Sequence, residues 1–174
     1  MSALVVGIGN PSRGDDAVGP LVAERVARLG LVGVEVVTHD EPLALVEHLA
    51  GRDDVVVVDA VRSSGGRPGT VHVIRVGPAP LHRDPVALGS HGLGVVDAVE
   101  LARALGRLPR RLTLVGVEAE GIEVGAAVSD LVRDRLEDAV RAVVESLRER
   151  VDRWTSRRSS SRTSTGRTTT TRCR

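Results

Sequence analysis

The stretch Val55-Val56-Val57-Val58-Asp59-Ala60 decides the fold. Four β-branched residues in succession suit a strand covered on both faces, as in a parallel sheet, where burial is nearly continuous and does not alternate. The apolar run then ends in a carboxylate. Towards the N-terminus, Pro42 to Ala50 reads as a short helix and Val34-Glu35-Val36-Val37 as a strand. Before them Ala17, Val18, Leu21, Val22, Val26 and Leu29 recur at helical spacing until Gly30 stops them. Pro20 falls in the first turn of that helix, where a missing N–H is tolerated. Leu4-Val5-Val6-Gly7-Ile8 is a further buried strand. Towards the C-terminus, the alternating Val71-His72-Val73-Ile74-Arg75-Val76 predicts a strand near a sheet edge, and Leu93 to Leu105 a helix. Leu112 to Val117 predicts a central strand, and Ala126 to Val151 a long amphipathic helix. The apolar stripe of that helix is Val128, Leu131, Val132, Leu136, Val140, Val143, Val144 and Leu147. Strands alternating with helices, without an internal repeat, predict an α/β fold. We expect a three-layer sandwich: a mostly parallel, twisted, five-stranded sheet with helices on both faces.

The 174 residues fit one domain, read as residues 1–154. A Ser/Thr/Arg-rich tail over 155–174 has no apolar residue to drive packing and is expected to be disordered. Charge divides in the same place. The tail holds six of the 24 basic residues and no acid, leaving 18 basic residues against all 23 acids in the body, a net of −5. An acidic body argues against nucleic acid as a partner. So does Trp154 as the sole aromatic, because single-strand binders stack bases on aromatic platforms. The lone Cys173 excludes an internal disulfide and a cysteine-based metal cluster, and fits a reducing compartment. The N-terminal apolar run lacks a basic leader, and no stretch approaches the roughly 20 apolar residues that span a bilayer. The expectation is a soluble, cytoplasmic, monomeric protein.

In open α/β sheets a ligand binds beyond the carboxyl ends of the strands. Residues expected there are Asn10, Asp15 and Asp16 after the first strand, Asp59 at the end of the third, and Ser90 and His91 before the helix at Leu93. Carboxylates and an imidazole from separate segments suit a divalent transition metal. Adjacent helical residues point about 100° apart, so one of Asp15 and Asp16 is expected to cap the following helix while the other reaches the site. Asp59 is hard to read as structural, because an unpaired buried carboxylate is costly. His39, His48, His72 and His82 lack comparable support and read as structural. Gly7-Ile8-Gly9 begins like a dinucleotide fingerprint, but Ser12 stands where the third glycine belongs, and two carboxylates follow where a pyrophosphate would sit. There is no Walker loop and no HExxH element. Ser90 beside His91 leaves a serine hydrolase open, although Gly89-Ser90-His91-Gly92 is not a Gly-x-Ser-x-Gly elbow.

Gly7-Ile8-Gly9-Asn10-Pro11-Ser12-Arg13-Gly14-Asp15-Asp16-Ala17-Val18-Gly19-Pro20 closely resembles the opening signature of the hydrogenase maturation proteases. These endopeptidases remove a C-terminal extension from the large subunit of nickel–iron hydrogenases. Val57-Val58-Asp59-Ala60 and Ser90-His91-Gly92-Leu93-Gly94 resemble the family's two other hallmark regions, in the same order. The resemblance runs from about Ala3 to Glu145. It implies that Asp16, Asp59 and His91 contact a metal and carry catalysis. That metal is nickel presented by the substrate, with no tightly bound organic cofactor, and the partner is the large-subunit precursor after nickel insertion. Two departures stand out. Some members have Glu in place of Asp16, and His39-Asp40-Glu41-Pro42 stands where the family often has a Gly-Gly-Thr-like turn, which bears on the shape of the cleft. Two alternatives stay open. Peptidyl-tRNA hydrolases share the Gly7–Pro11 opening but continue with a Tyr and an Arg-His-Asn element absent here. A non-catalytic metal- or partner-binding chaperone on the same fold is the other.

Overall fold

The computed structural model describes residues 3–81 and 94–160, with side chains as far as residue 148. Five strands form one sheet: β1 (Ala3–Ile8), β2 (Val34–His39), β3 (Asp54–Val61), β4 (Val71–Arg75) and β5 (Arg111–Glu118). Their order is β2-β1-β3-β5-β4. All neighbours run parallel except β4, which pairs antiparallel with β5 at the edge, where its alternating sequence placed it.

The valine runs are buried on both faces, and successive side chains serve opposite cores. Val5, Val56, Val58, Val115 and Val117 pack against α1 (Val18–Arg28) and α5 (Leu136–Ser160). Leu4, Val6, Ile8, Val55, Val57, Leu112 and Leu114 pack against α2 (Leu45–Leu49) and α3 (Val95–Ala104). Both faces are thus covered, giving the expected three layers. The helix after β1 lies unusually close to the sheet. A Cβ on Gly19 would stand 2.0 Å from the Ile8 carbonyl oxygen and 2.7 Å from that of Val58, so only glycine lets α1 touch β1 and β3 there.

The long C-terminal helix differs from the sequence reading. It is interrupted: α4 (Asp130–Arg133) is a single turn, and α5 begins at Leu136. The Ser129 hydroxyl accepts the Val132 N–H at 3.4 Å and caps α4, and the Arg135 N–H bonds to the Val132 carbonyl, tightening the chain between the two helices. The break turns Leu131 outward, 50% exposed, while Val132, Leu136, Val140, Val143 and Leu147 stay buried. α5 continues to Ser160 and takes in the first six residues of the expected tail, 155–160. Among the described residues no helix is long and apolar enough to cross a membrane.

Candidate active site

Strand order reverses at β1: the chain leaves it through α1 to reach β2 on one side, and β3 lies on the other. The crevice between the carboxyl ends of β1 and β3 is therefore the switch point where such sheets bind ligands. Asp16 and Asp59 reach it from its two walls.

Beyond β1 the chain passes Gly9, whose φ of +135° is open to glycine, into the 3-10 turn Gly14–Ala17. A Cβ on Gly9 would stand 1.9 Å from the Asp16 carbonyl oxygen, so the turn folds directly back on the strand end. The Asn10 N–H donates to Asp16 Oδ2 at 2.9 Å, and Asn10 Oδ1 accepts the Ser12 N–H at 2.8 Å. These bonds fix the carboxylate of a half-buried Asp16 against its own loop.

Asp59 ends the valine run of β3 and shares the α2/α3 face with Val55 and Val57. It keeps partial exposure at the rim, yet protein surrounds its carboxyl closely. Desolvation, then the charge of Asp16, push its pKa up from 3.8 to about 8, against a weaker opposing effect of the hydrogen bond from the Ala60 N–H. The two carboxyl groups are thus electrostatically coupled across the crevice. His91, the third expected member, lies outside the described residues, as do Ser90 and His82. Among the described residues no three His, Cys, Asp or Glu side chains converge on one point.

Asp15 does not cap α1. It is buried, 1% exposed, and accepts from the Glu120, Gly121 and Ser129 N–H groups at 2.8, 3.3 and 2.7 Å and from the Ser129 hydroxyl at 2.9 Å. Backbone bonds from Gly14 to Ala126, from Asp15 to Gly121 and from Gly125 to Ser12 complete the seam. Asp15 thus clamps the β5–α4 loop to the turn that carries Asp16.

A further buried acid was not singled out by the sequence. Glu118 closes β5, 2% exposed, and accepts from the Ser63 N–H at 3.1 Å and from the Ser63 hydroxyl, with His72 Nε2 3.1 Å from Oε1. The carboxylate stands between serine and imidazole, so the imidazole is not placed against the hydroxyl, and the group is a clamp on the β3–β4 loop rather than a nucleophilic triad. An acid at the C-terminal end of a central strand, the signal that selected Asp59, would also have found it.

The hydrogenase maturation protease family model matches residues 40–146. The chain belongs to the hydrogenase maturation protease family. The hydrogenase 2 maturation protease of Escherichia coli K12 is 31% identical over 153 residues, covering 86% of this chain and 92% of the relative. The solved hydrogenase-maturating endopeptidase HybD of E. coli superposes with a TM-score of 0.70 at 30% identity, over 86% of this chain and 93% of that one. The maturation protease HycI of Thermococcus kodakarensis gives 0.65 at 28% identity, over 84% and 92%. This hydrogenase maturation protease is accordingly an endopeptidase on a fold shared with solved members of its family.

Proposed function

We propose that the protease removes the C-terminal extension of a nickel–iron hydrogenase large-subunit precursor once nickel has been inserted, and that it recognises the inserted ion. The observation that carries this reading is the pairing of Asp16 and Asp59 across the switch point, where the Asp16 charge disfavours ionisation of Asp59 and a cation would offset it. Nickel arrives with the substrate. Asp16, held by Asn10, presents an anchored carboxylate; Asp59 gives up its proton as the ion enters; His91 completes the proposed donor set. Carboxylate and imidazole are suitable ligands for nickel. The bound ion supplies Lewis acidity towards the scissile carbonyl or an attacking water. Action as a cytoplasmic monomer without nucleic acid belongs to the same reading, supported by the acidic body and the single cysteine.

Cleavage of a nickel-loaded precursor tests it. Asp16→Ala, Asp59→Ala and His91→Ala should each lower the rate by about 100-fold or more, and pairs should lose little beyond the first removal, because the three act as a unit. Circular dichroism should stay unchanged. Parental cleavage by His91→Ala or Asp59→Ala, or one chelator-resistant zinc per purified enzyme, would overturn the reading.

A further inference from the structure

Residues 39–42 depart from the Gly-Gly-Thr-like turn of the family, and the first of them makes an unusual contact. His39, the last residue of β2, meets His48 of α2 with Nε2 to Nε2 at 2.6 Å, ring centroids 4.5 Å apart and planes tilted by 40°. Both residues are half-buried. His39 pairs with Ile8 of β1, and its carbonyl accepts the Gly9 N–H at 2.9 Å, so it stands on the rim of the cleft. Asp59 follows Val58, which pairs with Gly7 across β1. The two residues therefore flank Ile8 at one level. Val37 and Val57, two residues before each, pack into the α2/α3 core, so His39 and Asp59 share that face. Two strand spacings separate them, about 10 Å.

We propose that His39 and His48 form a second, imidazole-only subsite that takes a borderline divalent cation such as Ni2+, Zn2+ or Cu2+ at the rim of the cleft. Two nitrogens bound to one such ion at about 2.0–2.1 Å stand about 2.9 Å apart at a right angle and about 3.4 Å apart at the tetrahedral angle. The rings need part by less than about 1 Å. Without an ion, one Nε2–H donates to the other lone pair. With an ion, both Nε2 lone pairs would face it and the ring that had been the donor would carry its proton on Nδ1.

The surroundings favour this state. Burial, the His39 ring and the Arg52 charge hold His48 below the ordinary imidazole range, so it is neutral at pH 7 with a lone pair to give. Glu35 and Glu47 supply negative charge nearby, and Arg52 is itself paired with Glu35 at 2.6 Å. No third His, Cys, Asp or Glu joins the pair among the described residues. Water then fills the other positions, and the ion exchanges freely and yields to chelators.

The test titrates chelator-stripped, full-length protein with zinc chloride and follows the imidazole nitrogens of the five histidines by NMR. The His39 and His48 Nε2 resonances should shift together and saturate. His39→Ala or His48→Ala should weaken this event at least about tenfold, as expected for loss of an interaction that holds a metal. A double Asp16→Ala, Asp59→Ala variant should retain it, which separates this subsite from the carboxylate pair. The wild-type measurement needs no variant to fold. Zinc shifts confined to other histidines, or loss of the His39 and His48 shifts only in the carboxylate variant, would overturn the proposal.

Discussion

Asp59 holds its proton to about pH 8 in the metal-free protein because burial and the Asp16 charge both penalise its anion. In the unfolded chain the same carboxyl ionises near pH 3.8. Between those values the unfolded state has lost the proton and the folded state keeps it, so stability falls as pH rises and levels off above about 8. An asparagine has no proton to lose. Asp59→Asn should therefore unfold at a higher temperature than the parent, with a gap that widens from pH 5 to pH 8.5. Thermal unfolding of chelator-treated protein at both values measures it, and an equal gap at both would refute the assignment. The position of Asp59 was legible in the sequence because a carboxylate interrupts an apolar run. Its coupling to Asp16 was not, since that depends on β1 and β3 being neighbours. His91 belongs to the same sequence pattern and rests on that pattern alone.

The element that holds Asp16 in place is a clamp between two loops. Asp15 accepts four hydrogen bonds, from donors 105 to 114 residues away in sequence. Local reasoning offered a helix cap, since an acid before a helix commonly serves as one. Partners a hundred residues distant leave no periodic trace, and this kept the clamp hidden. The same contacts account for the broken C-terminal helix: Ser129, held by Asp15, starts α4 as its cap, whereas the apolar stripe by itself reads through the break. Removing the acid leaves part-buried N–H groups without their acceptor, and each lost bond to a charged group is worth about 1.5–3 kcal/mol. Asp15→Ala should destabilise by roughly 3 kcal/mol or more in urea denaturation, the bonds acting together. Asp16→Ala, at a half-buried position with one backbone bond, should cost less than Asp15→Ala, no more than about 1.5–3 kcal/mol. Equal losses in the two variants would show that Asp15 is no clamp.

Across the whole molecule, class and layering were legible because valine runs and helical spacing are local signals that alternate along the chain. Strand order was not, apart from the edge position of β4, because neighbours are chosen by which covered faces meet in three dimensions. The C-terminal boundary lay in between. Composition marks the point where apolar residues cease, but α5 carries on to Ser160 through residues that lack an apolar stripe. The cut that tests the tail therefore belongs after Ser160. The 14 residues beyond it include four arginines and no acid, so their removal takes the net charge from +1 to −3. They contain nothing that would bury an appreciable apolar area, and the matched E. coli relative aligns over 86% of this chain. A chain ending at Ser160 should melt within about 1 °C of the parent, since no named source of stability is removed. Its cleavage of the precursor should also match the parent at low and at high salt. A basic tail that steered an acidic partner would behave otherwise, because steering raises association at low ionic strength and fades as the Debye length shrinks to about 8 Å at 0.15 M. Slower processing by the shortened chain at low salt alone would identify the tail as an electrostatic guide, and a lowered melting temperature would place it in the folded body.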